Sequence, residues 1–148
     1  MRIFEIIQEG RDAPLYHAAG FSTAVAIIKS NQLRGYDAPI SLTRSRRFAQ
    51  FWNESHGGGV VFVLDQTRLS QTFRVKPGAL GGRPRRHEAE ETVDRLTPIK
   101  PLDRYLVSIE ITPENLSKIQ LNPSFDALLE HPLLRTANPI ANEVPWLP

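Results

Sequence analysis

The sequence predicts a single α+β domain. Its 148 residues are the usual size of one domain, and 41% of them are hydrophobic and 23% charged, as in an ordinary globular protein. About five to seven short runs have strand patterns, and the helical patterns gather early and late in the chain instead of alternating regularly with the strands. We expect the core at residues 14–112 and a helical, proline-rich extension at 113–148.

The first part of the chain carries two pairs of a strand and a helix. Apolar runs and apolar periodicity predict four elements there, in chain order a strand at 14–18, a helix at 21–33, a strand at 39–43 and a helix at 46–52. Ser22 or Thr23 is expected to cap the first helix, and Gly35 lies where a helix stop belongs.

Two later runs are the clearest strands of the sequence. Val60–Leu64 (VVFVL) is a continuous apolar run, which is typical of a strand buried on both faces. Leu106–Ile111 (LVSIEI) alternates regularly, so that Leu106, Ser108 and Glu110 share one face of the predicted strand.

The segment between these strands is less regular. Strands are predicted at 71–75 and 88–93, and a loop rich in Gly, Pro and Arg is predicted at 76–87. Pro113 is suited to the first turn of a short helix, which would begin the extension.

Composition excludes several classes of protein and site. The chain has no cysteine, which excludes a disulfide scaffold, a zinc–thiolate site, an iron–sulfur cluster and a cysteine nucleophile. No apolar run approaches the roughly 20 residues that span a bilayer, and no signal-peptide pattern opens the chain, so a cytoplasmic protein is expected. No metal site is expected, because His56, His87 and His131 share no ligand spacing.

The kind of positive charge is more informative than its amount. The net charge is only +2, but 14 of the 18 basic residues are arginine, which contacts phosphate and carboxylate groups in a bidentate way. Two clusters stand out, at Arg44, Arg46 and Arg47 and at Arg83, Arg85 and Arg86. They indicate anionic ligands at defined places, and the alternative is that these arginines are solvated surface groups.

Three segments carry side chains suited to chemistry. His17 lies on a short strand before a glycine, and residues 41–44 (SLTR) end a strand and enter a helix. In residues 88–91 (EAEE), Glu88 and Glu90 share one face of a predicted strand. Two like charges so close together are unfavourable unless a cation neutralises them or a ligand hydroxyl donates a hydrogen bond to them. Each segment has a structural alternative: a core histidine, a helix cap with a solvated arginine, and a solvated edge strand paired with nearby arginines.

The order of these motifs resembles the ADP-ribosyltransferase fold. The sequence runs L-Y-H, a helix followed by G, S-L-T-R, an apolar strand, a loop, E-A-E-E-x-V, and P-L-x-x-Y-L-V-S-I-E-I. It is most similar to the small phage and toxin branch that includes the DNA-targeting ADP-ribosyltransferases. The resemblance covers roughly residues 14–112 and implies a split β-sandwich of short strands with flanking helices.

The resemblance also implies roles for individual residues. It implies that His17 binds the NAD ribose and that Ser41 and Thr43 frame the nicotinamide pocket. It also implies that Arg44 assists catalysis and that Glu90 is the catalytic carboxylate. We therefore expect His17 and Ser41 to lie close in space, although 24 positions separate them in the chain. A carboxylate suits this chemistry, because breaking the nicotinamide–ribose bond builds positive charge on the ribose.

The segment before the catalytic carboxylate is implied to contact the acceptor. In the resemblance Glu88 is a second acidic position, and the loop at 76–86 with its arginines recognises the substrate, with Arg83, Arg85 and Arg86 as contacts. Since arginine suits phosphates and guanine edges, a nucleic acid is favoured over a protein as acceptor. Two motif differences leave the acceptor open: Ser41 replaces the tyrosine of one branch, and Arg44 interrupts the serine–threonine–serine motif of another.

Two alternatives to this function remain. An RNA 2′-phosphotransferase shares the fold and the use of NAD, but it would require more basic residues around its phosphate pocket than the sequence offers. A phage accessory or binding protein could keep the fold without catalysis, and it would bind NAD without releasing nicotinamide.

Overall fold

A seven-stranded sheet forms the centre of the fold in the computed structural model, which describes residues 14–35, 40–77, 79–80, 83–84, 90–93 and 97–140. The strands are, in chain order, β1 (Leu15–Ala19), β2 (Ile40–Thr43), β3 (Val60–Leu64), β4 (Lys76–Pro77), β5 (Ala79–Leu80), β6 (Arg83–Pro84), β7 (Glu90–Val93), β8 (Leu106–Ile111) and β9 (Leu134–Thr136). The order across the sheet is β4-β7-β2-β1-β3-β8-β9, and β5 pairs with β6 separately. Among the described strands, β8 and β9 alone are parallel neighbours, so the sheet is mixed.

Within the described residues, five short α-helices accompany the sheet. They are α1 (Phe21–Ser30), α2 (Arg46–Ser55), α3 (Gln66–Thr72), α4 (Pro113–Ile119) and α5 (Asp126–Leu129), with 3-10 turns at Leu102–Arg104 and Pro123–Phe125. The described residues therefore form one small α+β domain, which confirms the predicted fold class.

The strand β3 is enclosed on every side. All five of its residues are buried, β1 pairs with it along its whole length, and β8 pairs with it on the other edge. This burial on both faces explains why its sequence is apolar at every position, and the prediction for Val60–Leu64 is confirmed.

The two faces of the sheet bury separate cores. Phe62 lies on the face of the larger core, which also receives apolar side chains from α1, α3, α4 and α5. The opposite face carries a smaller cluster, in which Ala49 of α2 packs on Tyr16, Val61 and Val63. Of the described helices, α2 is the one that packs on this smaller core.

The ends of α1 differ from the sequence-based expectation. Gly20 is the N-cap and no side chain caps the helix, so the predicted caps at Ser22 or Thr23 are wrong. The helix stops at Asn31, whose left-handed backbone (φ 52°) lets its N–H bond the last carbonyl groups. Leu33 has already left the helix, because its backbone pairs with Ile99 in a two-way hydrogen-bonded bridge. Gly35 therefore plays no part in the helix stop.

The predicted strand at 71–75 is also wrong. Asp65 accepts a hydrogen bond from the backbone N–H of Arg68 at 3.0 Å and begins α3, which continues to Thr72. Phe73 then packs edge-to-face on Tyr105, with ring centroids 5.6 Å apart. The aspartate cap and this aromatic contact decide the local conformation against the β-branched pattern of the segment.

The irregular segment that follows contains short strands. The predicted loop at 76–87 includes the two-residue strands β4, β5 and β6, so it is not wholly irregular. The predicted strand at 88–93 is present as β7 from Glu90 onward, whereas positions 88 and 89 lie outside the described residues. The strand at Leu106–Ile111 and the helix that begins at Pro113 are confirmed.

The turn before β3 requires a glycine at position 59. A Cβ atom on Gly59 would lie 2.1 Å from the carbonyl oxygen of Ala19 and 2.7 Å from Oδ1 of Asn53. The first of these atoms belongs to the backbone of β1, so it cannot rotate away.

We expect Gly59→Ala to lower the free energy of unfolding by about 1–3 kcal/mol or more, because overpacking forces β1 and β3 apart. Gly20→Ala is the matched control, since a Cβ there meets nothing within 4 Å and the change should stay below about 1 kcal/mol. Urea unfolding of both variants measures the difference. Equal stability of the two variants would contradict the close approach at Gly59.

Candidate functional site

The strands β1 and β2 pair at one position only. Tyr16 is opposite Thr43, whereas β1 pairs with β3 at all five positions. Beside this single pair, Nδ1 of His17 lies 2.8 Å from the carbonyl oxygen of Ser41. The imidazole ring therefore bridges the two strands where a further backbone pair would otherwise form. The expected proximity of His17 and Ser41 is confirmed.

The protonation state of His17 follows from this contact. A carbonyl oxygen only accepts hydrogen bonds, so Nδ1 carries the proton and donates it, and Nε2 of the neutral ring is an acceptor. Burial lowers the pKa of His17 below its usual value, and the bond to Ser41 opposes that effect without cancelling it. His17 is therefore neutral at pH 7, and its ring lies 6.5 Å from the ring of Phe62.

A small cavity of about 130 Å³ lies at this junction of β1, β2 and α2. Three of its walls are aromatic, from Tyr16, Phe48 and Trp52, and the complete lining is Tyr16, His17, Ala18, Ser41, Leu42, Thr43, Phe48, Ala49 and Trp52. Cavities that hold a whole drug-sized ligand measure about 300–1,000 Å³. This cavity therefore suits one flat ring of a larger molecule. Three sequence-predicted residues, His17, Ser41 and Thr43, meet in its lining.

Two successive hydrogen bonds hold the connection from β2 to α2. The hydroxyl of Thr43 accepts from the backbone N–H of Ser45 at 3.0 Å, and the hydroxyl of Ser45 accepts from the N–H of Phe48 at 3.1 Å. The second bond is the N-cap of α2. Arg44 lies between these two residues and is exposed, so this turn places it directly beside a residue of the cavity.

The backbone register brings Glu90 to the same part of the sheet. In the ladder between β2 and β7, Glu90 is the partner of Thr43, and Thr43 is in turn the partner of Tyr16. These three positions form one row across three strands, which spans about 10 Å at the usual strand spacing. The next position, Glu91, is opposite Leu42.

The predicted acceptor-binding residues are only partly described. The backbone of Arg83 belongs to β6, opposite Leu80. Arg85, Arg86 and Glu88 lie outside the described residues, so their assigned roles stay predictions.

A buried carboxylate near the cavity was not singled out as a site residue from the sequence. Glu110 of β8 is 8% exposed, and its Oε1 lies 3.0 Å from Nε of Arg46. The guanidinium of Arg46 also lies 5.2 Å from the ring centroid of Tyr16, a cation–π contact. Burial raises the pKa of Tyr16, the charge of Arg46 lowers it and that of Glu110 raises it. The available signal was a glutamate within a strand of otherwise apolar and small residues.

Within the described part of the chain, no three histidine, aspartate or glutamate side chains are grouped so that they could hold a metal ion. Among the helices of the same residues, none has the length and apolar character needed to cross a membrane.

The chain was compared with protein-family models, with curated proteins and with solved structures. No family model, no curated protein and no solved structure matches it. The function proposed below therefore depends on the order of motifs in the sequence and on the geometry around β1 and β2.

The lowered pKa of His17 makes stability depend on pH. The unfolded chain binds a proton on this residue at a higher pH than the folded chain does, so stability falls as the pH drops below about 6.5. We expect His17→Gln to lose less stability than the wild type between pH 7 and pH 5, with a difference in slope of at most about 1.4 kcal/mol per pH unit.

His131→Gln is the control, because the pKa of His131 is also lowered by burial although it lies outside the cavity. Each variant should remove only its own part of the pH dependence. Chemical unfolding at several pH values gives the slopes, and identical slopes for wild type and His17→Gln would show that His17 is not shifted.

Proposed function

We propose that the chain is an NAD-dependent ADP-ribosyltransferase that modifies a macromolecule and releases nicotinamide. The observation that carries this proposal is that β1 and β2 pair at a single position. The neutral imidazole of His17 bridges the two strands there, and an aromatic-lined cavity lies beside it. The same region contains every described residue that the sequence motifs assign to NAD.

The residues present fit the parts of NAD. The cavity, with its aromatic walls, is of the size for the nicotinamide ring, and Ser41 and Thr43 line it. Nε2 of His17 can accept a hydrogen bond from a ribose hydroxyl, since Nδ1 is already engaged with the carbonyl of Ser41. We assign Arg44, which is exposed directly beside the cavity, to assist catalysis by neutralising the charge of the pyrophosphate.

The proposed reaction balances without a metal or a redox partner. The bond between ribose C1′ and the nicotinamide nitrogen breaks, and its electron pair leaves with nicotinamide. An oxygen or nitrogen atom of the acceptor bonds to C1′ and loses a proton. We assign to Glu90 the stabilisation of the positive charge that develops on the ribose, as a carboxylate does in glycoside hydrolysis.

The topology supports the finer fold assignment as part of this proposal. A sheet with one weakly paired junction between β1 and β2 can open there into two parts, which is what a split β-sandwich requires. The ladder between β2 and β7 keeps Glu90 beside this junction.

We also propose that the acceptor is a nucleic acid and that the protein acts in the cytoplasm. The argument is the arginine-rich segment at 76–86, which immediately precedes the acidic residues in the chain. Incubation with labelled NAD and separate pools of DNA, RNA and protein would identify the acceptor by the pool that acquires label. Binding of NAD without labelling or nicotinamide release would favour a non-catalytic binding protein.

Glu90→Gln keeps the shape of the side chain and removes its charge. We expect nicotinamide release to fall at least about 100-fold, which is the scale of removing one stabiliser of the transition state. The measurement is nicotinamide formed per unit time at saturating NAD.

Glu91→Gln is the matched control, because it removes the same charge from the neighbouring position of β7, which pairs with Leu42 instead of Thr43. It should retain activity within a few-fold. Loss in Glu88→Gln or Glu91→Gln with normal turnover in Glu90→Gln would show that the catalytic carboxylate is a different one.

Neutralising Arg83, Arg85 and Arg86 together tests the acceptor. If they contact phosphates, the slope of log affinity against log salt should become shallower by about two to three, at roughly 0.7–0.9 per contact. Hydrolysis of NAD without acceptor should change little. Parallel loss of stability and of NAD hydrolysis would show instead that these arginines balance the neighbouring glutamates, and a protein acceptor would then be favoured.

A further inference from the structure

A histidine side chain holds the turn that leads into β9. The backbone N–H of Leu133 donates to Nδ1 of His131 at 3.1 Å, and the N–H of Leu134 donates to the carbonyl oxygen of His131 at 3.1 Å. Pro132 occupies the second position of this turn, where proline is favoured. The imidazole therefore acts as asparagine often does in turns, by accepting from the backbone N–H two residues further on.

The direction of the bond from Leu133 fixes the protonation state of His131. A backbone N–H only donates, so Nδ1 presents a lone pair and the proton of the neutral ring is on Nε2. A charged imidazole carries an N–H at both nitrogens and cannot accept this bond. Burial lowers the pKa of His131, so the folded turn favours the neutral ring. The bond to Leu133 is therefore lost when His131 becomes protonated.

The charged groups around this turn do not replace His131 as the titrating group. Those on the adjoining elements are Lys29 of α1, Glu110 of β8, Glu114 and Lys118 of α4, Asp126 of α5, Glu130 and Arg135. Carboxyl, ammonium and guanidinium groups ordinarily keep their charge between pH 5 and 7, whereas histidine changes its charge there. The lowering of the pKa of His131 is attributed to burial and to none of these charges.

The turn anchors β9 and the four residues after it, 137–140, which we call the strap. The carbonyl oxygen of Leu133 accepts from the N–H of Ile109 at 3.0 Å, directly before β9 begins. At the other end of β9, the N–H of Ala137 donates to the carbonyl oxygen of Ile111 at 2.9 Å. Between these two bonds β9 has only three residues, lies at the edge of the sheet and pairs in parallel. A short parallel edge strand has little stability of its own, so it depends on its ends.

The strap forms one wall of a cavity of about 410 Å³, whose other walls come from α2, the end of β8 and α4. The side-chain amide of Gln50 holds the strap on α2, since its Nε2 donates to the carbonyl oxygen of Asn138 at 3.3 Å and its Oε1 accepts from the N–H of Ile140 at 2.8 Å. Ala137 and Pro139 line the cavity. Release of the strap would therefore open this cavity on one side.

We infer that protonation of His131 releases β9 and the strap from β8 and α2 and thereby opens the cavity of about 410 Å³. The neighbouring pair of β3 and β8 keeps its own ladder, so the opening is local. Opening takes up one proton. The ratio of open to closed molecules therefore rises by at most about tenfold per pH unit below about pH 6.5, and it levels off once the closed form is also protonated. This device does not depend on the proposed function.

The test is amide hydrogen exchange of the intact chain at pH 7 and pH 5, corrected for the intrinsic effect of pH on exchange. In the wild type, protection of the amides of Ala137 and Ile140 should fall at least about threefold and at most about thirtyfold more than that of Phe62 in β3. His131→Asn keeps an acceptor for the N–H of Leu133 and removes the titration, so this extra loss should disappear. His131→Ala removes the acceptor, so the strap should be weakly protected at both pH values.

His56→Asn is the matched control, because it removes another imidazole at an exposed position outside this turn and should behave as the wild type. If His131→Asn fails to fold, His131→Asp offers an equivalent acceptor and ordinarily stays charged in this range. An equal extra loss in the wild type and His131→Asn would assign the pH dependence to another group. No extra loss in the wild type would show that the turn stays closed over a charged His131. Either result overturns the inference.

Discussion

The unequal pairing of β1 with its two neighbours is the constraint on which the candidate site depends. One edge of β1 is satisfied along its whole length by β3, and the other edge meets β2 at a single pair. A backbone edge exposed inside a fold needs other partners for its polar groups. His17 supplies one by donating to the carbonyl of Ser41, and this one bond both bridges the strands and leaves room for a cavity beside them.

The helix α2 lies between two cavities, the small one at β1 and β2 and one of about 410 Å³ on its other side. Phe48 and Trp52 line the small cavity, whereas Gln50, Asn53 and Glu54 line the large one. The first turn of the same helix also carries Arg46, which contacts one residue from the lining of each cavity, Tyr16 of the small one and Glu110 of the large one. The N-cap of α2 is tied to the end of β2 by two hydrogen bonds, which fix the start of this helix relative to that strand.

Local patterns predicted those parts of the fold that local chemistry decides. The apolar run of β3, the alternation of β8 and the proline at the start of α4 are each visible within a few residues, and the structure contains all three. The strand expected at 71–75 failed, because an aspartate cap and an aromatic contact with Tyr105 act together there. The aspartate cap is visible in the local sequence, whereas the contact with Tyr105 is not.

The sequence by itself determined the α+β class and the clearest strands, since a strand pattern is a property of the linear chain, whereas the grouping of His17, Ser41 and Thr43 was implied only by the resemblance in motif order. The tertiary structure alone decided that β1 and β2 pair once, that His17 is neutral with Nδ1 as donor, and that Glu110 is buried. Register and burial depend on which strands become neighbours, and β8 is separated from β3 by more than 40 positions of chain. Long-range pairing of this kind has no local signal, so a charged residue within a strand pattern does not reveal whether it faces water or a cavity.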